Sequence, residues 1–174
     1  MELAWNVILV SSAVIFIAFT FVIAVGAPFL PTLKDRVPDI QKLCRLKPGQ
    51  SVLELGSGDG RILLSFARQG IRSVGYEINP FLVIYSKIIT FKHRKLVKIH
   101  WGNYWTKQWP PTDAIFVFLL QPYMQKLDKH IIQKYPKGVK LVSFAFTIPD
   151  RKPTRQIIGM YLYEYDKQLK KNHR

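Results

Sequence analysis

Charge is missing from the opening of this sequence: from Leu3 to Leu33, 31 consecutive residues include no Asp, Glu, Lys or Arg. Acid is scarce throughout, with 11 Asp and Glu against 26 Lys and Arg in 174 residues. All 26 cations and 10 of the acids lie from Lys34 onward, so that stretch carries +16. Cysteine occurs once, at Cys44, which excludes a disulfide scaffold and reads as a single buried thiol, with no His or Asp at catalytic spacing. The histidines, His93, His100, His130 and His173, show no ligand pairing, so no metal is expected. What is abundant is apolar and aromatic residues, 48% and 13%, which excludes a disordered chain. The length suits about one domain of 100–200 residues, and the composition divides it into an apolar leader and a basic domain.

The uncharged run Leu3–Val25 would reach roughly 35 Å as a helix at about 1.5 Å per residue, enough to span a hydrocarbon core of about 30 Å. We expect residues 1–27 to be an uncleaved transmembrane anchor. A cleaved signal peptide is the rival, since Ala24-Val25-Gly26-Ala27 offers small residues, but no basic region precedes the run and the run exceeds an ordinary signal core. Only Glu2 precedes the span, while Lys34, Arg36, Lys42, Arg45 and Lys47 follow it. The positive-inside rule then puts the remainder on the cytoplasmic or equivalent inner side.

Residues 28–50 read as a linker and a short helix. Pro28 and Pro31 keep the chain extended, Val37–Leu46 is amphipathic, and Lys47-Pro48-Gly49-Gln50 is a turn. Residues 51–166 then alternate strand and helix: strands at Ser51–Leu55, Ser73–Glu77, Val97–His100, Ala114–Leu120, Lys140–Phe146 and Met160–Tyr165, and helices at Arg61–Gln69, from Pro80 through Ile89, and at Tyr123–Lys134. Asn79 caps the helix that Pro80 opens. This order predicts an α/β fold with a mostly parallel sheet covered on both faces. Residues 167–174 form a basic tail.

The sharpest signal is Val52-Leu-Glu-Leu-Gly-Ser-Gly-Asp-Gly-Arg61, a strand that runs into three alternating glycines and then a helix. Gly56, Gly58 and Gly60 allow a tight turn and close approach of a ligand, and the helix that follows offers free N–H groups to an anion. A dinucleotide fingerprint requires glycine at position 61, where Arg61 stands. Glu77 ends the second strand, 17 residues beyond Gly60. In an open α/β sheet ligands bind beyond the carboxyl ends of the strands, where a carboxylate can accept both hydroxyls of a ribose.

On these residues the chain resembles class I S-adenosylmethionine-dependent methyltransferases over roughly 28–165. Glu54-Leu-Gly-Ser-Gly-Asp-Gly60 is similar to that family's first motif, Glu77 to its ribose-binding acid, Gly102-Asn103 to its third motif, whose Asn reads the adenine edge, and Asp113 through Tyr123 to its fourth. A narrower resemblance joins Pro28-Phe-Leu-Pro-Thr32, Gly75-Tyr-Glu-Ile-Asn-Pro80 with Tyr85-Ser86, and Phe144-Ala-Phe-Thr-Ile-Pro149 to the membrane-anchored protein-lysine methyltransferases, a family with mitochondrial members acting on the ATP synthase c-subunit and the adenine nucleotide translocase. The resemblance implies a Rossmann-like sheet with a shortened C-terminal end, because one strand rather than a helix and two strands is expected after Phe146. It implies S-adenosyl-L-methionine held by Thr32, Glu54, Gly56, Ser57, Gly58, Gly60, Glu77, Ile78, Asn103 and Tyr104. Asp59 is expected to orient the glycine loop.

Methyl transfer from a sulfonium is an in-line displacement whose main demand is positioning in a dry pocket. If lysine is the acceptor, holding it neutral at pH 7 costs about 4.6 kcal/mol, and nearby positive charge with desolvation lowers that cost. Gln121, Tyr123, Tyr104 and Asp150 are the candidates for accepting hydrogen bonds from the ammonium. The expected partners are a protein substrate near the membrane and an anionic lipid surface, which basic residues favour. A nucleic-acid acceptor ranks behind. The charge and the aromatic faces of Tyr104, Trp105 and Trp109 suit it, but Leu120-Gln121-Pro122-Tyr123 puts Leu where adenine-amine enzymes hold Asp or Asn. A small-molecule or lipid acceptor is the remaining alternative.

Overall fold

The computed structural model describes residues 2–25 and 34–166. The chain divides into two compact units, Met1–Leu30 and Pro31–Arg174. In the first, α1 runs from Glu2 to Val25, 24 residues with no charge after Glu2. Its described apolar side chains, from Leu3 and Trp5 to Val14 and Phe16, are exposed. Ser12 and Thr20 turn their hydroxyls back to donate to the carbonyls of Ile8 and Phe16. Among the described residues no helix is long and apolar enough to cross a membrane; the side chains of residues 15, 17–19 and 21–25 of α1 lie outside that set. The expected Thr32 contact and the basic tail at 167–174 also lie outside the described residues.

In the second unit α2 (Val37–Cys44) precedes β1 (Ser51–Leu55), α3 (Arg61–Ala67), β2 (Arg72–Glu77), α4 (Pro80–Ile89), β3 (Val97–Trp101), β4 (Ala114–Val117), α5 (Gln121–Lys134), β5 (Val139–Phe144), β6 (Arg155–Ile157) and β7 (Met160–Tyr165). The sheet order is β3-β2-β1-β4-β5-β7-β6. β1 pairs in parallel with both β2 and β4, so the crevice where strand order reverses opens beyond Leu55. β7 runs antiparallel between β5 and β6.

Side-chain alternation divides the core by face. Val52, Phe116 and Val142 pack with Ile40, Leu43, Ile62 and Phe66 of α2 and α3, while Leu53, Ile115 and Leu141 pack with Met124, Leu127 and Ile131 of α5. Cys44 is fully buried, and burial pushes its thiol up to about 12, which leaves it inert. Asn79 caps α4 as expected, its side chain accepting from the N–H groups of Phe81 and Leu82.

The expected truncation of the sheet is corrected. Two strands follow Phe146, and the missing element is the helix that would join β5 to β6. Arg155–Ile157 escapes a hydrophobic reading because it is three residues long and largely exposed at the sheet edge, while Gly159 at φ 71° closes the two-residue turn into β7. The irregular stretch 145–154 satisfies its backbone through side chains and the neighbouring hairpin. The Ile148 N–H donates to the Tyr163 hydroxyl at 3.0 Å, the Ala145 N–H to the Gly159 carbonyl at 2.7 Å, and Ser143 Oγ to the Phe146 carbonyl at 2.7 Å. β4 stops at Val117 rather than Leu120, because Phe118–Leu120 leaves the ladder as the chain turns into α5.

Candidate active site

The glycine loop leaves β1 and folds back over the end of β2. The N–H groups of Gly56 and Ser57 both donate to the Tyr76 carbonyl at 2.9 Å. Gly56, Gly58 and Gly60 have φ of 84°, 52° and 78°, values that favour glycine. At Gly56 a side chain would meet open space, whereas at Gly60 a Cβ would stand 2.8 Å from Ser86 Cβ of α4. The first glycine therefore leaves room beside the loop, and the third lets α4 approach it.

Glu77 is the acceptor at the centre of this turn. Its Oε2 accepts from the Gly58 N–H and its Oε1 from the Asn79 N–H, each at 2.8 Å, and the residue is buried. The Glu77 carbonyl accepts from the Gly102 N–H at 2.8 Å, which brings the Gly102-Asn103 turn alongside. Asn103 uses its Oδ1 to accept from the Trp105 N–H at 3.0 Å, leaving its amide NH2 for other partners. Ile78 is half-buried and its carbonyl accepts from the Trp101 indole N–H. Asp59 grips the Arg61 guanidinium and accepts from the Arg61 N–H, which fixes the loop's exit as expected.

Two buried polar atoms in this region lack a hydrogen-bond partner, Glu54 Oε2 and Ser57 Oγ. Burial holds the Glu54 carboxyl well above the usual carboxylate range, with Asp59 and Glu77 adding in the same direction and Arg61 opposing. A buried acid that resists ionisation, an orphaned hydroxyl and an open wall at Gly56 suit a ligand bearing a cationic group and polar edges. S-adenosyl-L-methionine has these features in its ammonium and ribose. Glu54, Ser57, Gly58 and Glu77 would hold it, with Asn103 and Tyr104 on the adenosine side.

Tyr104, next to Asn103, is partly buried, and burial, then Tyr123, then Glu77 keep its hydroxyl protonated far above neutral pH. The structure thus brings Tyr104 within electrostatic reach of both the glycine-loop acid and Tyr123, which is 46% exposed at the first turn of α5. Gln121, exposed at the start of the same helix, donates from Nε2 to the Thr147 carbonyl at 2.9 Å. Asp150 is exposed in a left-handed turn at φ 60°, and no hydrogen bond joins it to the other three candidates among the described residues.

Three phenylalanines that sequence reasoning did not single out individually complete this side. Phe118, beyond the end of β4, meets Phe144 edge-on at 4.8 Å and stacks with Phe146 at 6.5 Å. The apolar run through Leu120 and the Phe144-Ala-Phe146 segment were their only sequence signal. Asp113 faces away from the crevice, accepting from the Ser51 N–H and hydroxyl at the opposite end of β1. The tryptophans also have structural duties. Trp109 is buried and donates to the Tyr104 carbonyl, while Lys126 lies over the Trp105 ring at 4.4 Å and His130 meets both indoles. Trp109 therefore offers no free face for a base, contrary to the nucleic-acid expectation. No group of three or more His, Cys, Asp and Glu placed to hold a metal ion occurs among the described residues.

Known proteins share both sequence and fold with this chain. The chain is 28% identical over 128 residues to the ATP synthase c-subunit lysine N-methyltransferase of Homo sapiens, covering 72% of this chain and 54% of that protein. It is 30% identical over 129 residues to the adenine nucleotide translocase lysine N-methyltransferase of Mus musculus, covering 72% and 56%. The chain thus spans about half the length of these curated relatives. Among solved structures, an RNA methyltransferase from Salinibacter ruber in complex with S-adenosyl-L-homocysteine superposes with a TM-score of 0.71 at 27% identity, covering 78% of this chain and 92% of that one. The profile of the ANTKMT methyltransferase domain matches residues 54–155, from the buried acid of β1 to the first residue of β6, and the chain belongs to that methyltransferase family.

Proposed function

We propose that this chain transfers a methyl group from S-adenosyl-L-methionine to the side-chain amine of a lysine on a membrane-associated protein. The observation that carries the donor half is the glycine loop locked onto Glu77 beside the unpartnered Glu54 Oε2 and Ser57 Oγ. When bound, the donor supplies an electrophilic methyl on a positively charged sulfur. The chain's own residues do the rest: Glu77 positions the ribose, Glu54 faces the ammonium, and Asn103 offers its free amide to the adenine edge. On the acceptor side the Phe118, Phe144 and Phe146 rings form an apolar wall, and aromatic faces attract an alkyl-ammonium. Excluding water there lowers the lysine pKa, so the ammonium gives its proton to solvent on entry, and the oxygens of Tyr104 and Tyr123 orient the neutral amine by accepting from its remaining N–H groups while its lone pair takes the methyl, releasing S-adenosyl-L-homocysteine.

The lysine acceptor is supported by the family and by the two curated relatives, whose names specify lysine on the ATP synthase c-subunit and on adenine nucleotide translocase. A membrane setting is supported by α1. Its 24 residues carry no charge after Glu2 and give roughly 36 Å of helix, and a helix whose sequence has no continuous polar face is either enclosed by protein or immersed in lipid. With α1 as a single span, the cations after it favour the cytoplasmic or equivalent inner face for the catalytic unit.

A second reading, an RNA acceptor, is favoured by the net charge of +15 and by the Salinibacter ruber structure. Incubating membrane fractions with the chain and a radioactive methyl donor separates the two. Label that protease removes and nuclease spares is expected, with methyl-lysine on hydrolysis; nuclease-sensitive label would transfer the assignment to RNA. Removing residues 1–27 should preserve cofactor affinity and slow methylation of a membrane substrate, through lost effective concentration.

A further inference from the structure

Helix α4 is built inside out. The residues it turns to the sheet are modest, with Val83 and Ser86 buried and Thr90 buried just beyond its end. Ser86 is small where α4 approaches Gly60. On the opposite side Phe81, Ile84, Tyr85 and Ile88 form an i, i+3, i+4, i+7 stripe, each more than half exposed, and Phe91 continues it at 62% exposure. A helix serving only its own core carries the reverse pattern.

The surroundings of this stripe indicate its partner. Lys87, Lys92, Arg94 and Lys95 are exposed beside it, with the Arg94 guanidinium over the Phe91 ring at 4.7 Å. No acid occurs from Ile78 to Thr112. Apolar and aromatic side chains rimmed by Lys and Arg form the face that lies in the interfacial layer of a membrane, where the rings enter the acyl boundary and the cations meet anionic headgroups. A second copy of the chain is a poor occupant, since a two-fold contact would set this cationic rim against itself.

We propose that the outer face of α4, continued by Phe91, docks the catalytic unit onto an anionic lipid bilayer. The Phe81 end of the helix lies next to Asn79 and Glu77, so docking holds the cofactor end of the crevice near the lipid surface. The inference rests on the membrane residence proposed above and is independent of which acceptor is methylated.

The full chain tests it, because Cys44 is its single thiol and is buried. An environment-sensitive fluorophore is attached at Ile84→Cys, at Ile88→Cys and, as a control on α5, at Lys129→Cys, and the chain is reconstituted with phosphatidylcholine vesicles with or without phosphatidylserine. Blue-shifted emission and quenching by lipid-borne quenchers are expected at positions 84 and 88, about twofold or more above position 129 and stronger with phosphatidylserine. Vesicle-bound chain whose labels at 84 and 88 stay as wet as that at 129 would overturn the docking face and leave the anchor standing. Chain that does not associate with vesicles would overturn both. A blue shift without lipid also overturns the proposal, reporting a second copy if it grows with protein concentration and the chain's own residues if it does not.

Discussion

The two sides of the crevice are constructed differently. On the β1–β2 side, main-chain N–H groups from residues 58 and 79 converge on one carboxylate, and the whole device lies within the short stretch from Glu54 to Asn79. On the β4–β5 side the rings of Phe118, Phe144 and Phe146 meet one another, and Gln121 holds the Thr147 carbonyl across 26 residues. The first arrangement is built from main-chain groups of one short stretch. The second draws on segments far apart in the sequence; the same fold occurs in an RNA methyltransferase, whereas the two curated relatives are named for lysine.

The most severe break should come from Glu77→Ala. It removes the acceptor for one buried and one part-buried N–H group as well as the proposed ribose contact, and hydrogen bonds to a charged group are worth about 1.5–3 kcal/mol each. Affinity for S-adenosyl-L-homocysteine should fall by about two orders of magnitude or more in calorimetry. Retained affinity would mean that the cofactor sits elsewhere and that the contrast between the two sides is misdrawn.

Stability should separate crowding from backbone strain in the glycine loop, with Gly49, in the turn that precedes β1, as the uncrowded control. Gly49 and Gly60 both have positive φ, 87° and 78°, but a Cβ at Gly49 meets nothing within 4 Å while one at Gly60 meets Ser86 Cβ at 2.8 Å. Alanine at either position incurs a left-handed penalty of about 1–2 kcal/mol, and overpacking adds about 1–3 kcal/mol at Gly60 alone. Thermal denaturation should therefore rank Gly60→Ala clearly below Gly49→Ala. Equal losses would mean that α4 moves away from the loop without cost.

Legibility in the sequence follows the same division. The glycines, the Asn79-Pro80 helix start and the acid at Glu77 are short-range devices, each readable within a few residues, and the structure places them as the spacing implied. What escaped depends on distant partners. The Asp128 carboxylate accepts from Arg151, 23 residues on, and from the Tyr165 hydroxyl, 37 residues on, and this cluster secures the stretch that replaces a helix between β5 and β6. Trp105 and Trp109 carried no mark distinguishing a base-stacking platform from a wedge between a loop and α5. Strand β6 has too few residues to show alternation, and only its pairing with β7 makes it a strand.

On the acceptor side, Gln121→Ala should sharpen the contrast. Losing the bond to the Thr147 carbonyl loosens the Phe144–Phe146 segment, and one such bond, about 1 kcal/mol, corresponds to a fall of roughly five- to tenfold in kcat/KM for the acceptor. Affinity for S-adenosyl-L-homocysteine should not change. A parallel loss of cofactor affinity would show that the two sides are coupled after all.

The smallest effect should come from the buried acid of β1. Burial first, then Asp59 and Glu77, raise the Glu54 carboxyl well above 4.5 in the folded chain. Between the unfolded and folded values the folded state binds the extra proton, so stability falls as pH rises through that window. Glu54→Gln removes the titration. The ligand-free variant should therefore melt higher than the wild type at neutral and alkaline pH, and this advantage should vanish below about 4.5, where the acid is protonated in both states. A cationic group arriving beside Glu54 draws its proton away. Binding of S-adenosyl-L-homocysteine to the wild type should accordingly release protons, seen as a dependence of the calorimetric heat on the buffer's ionisation enthalpy, and Glu54→Gln should abolish that dependence. Buffer-independent heats in both proteins would place the ammonium away from Glu54 and leave its unpartnered oxygen to the ribose edge of the site.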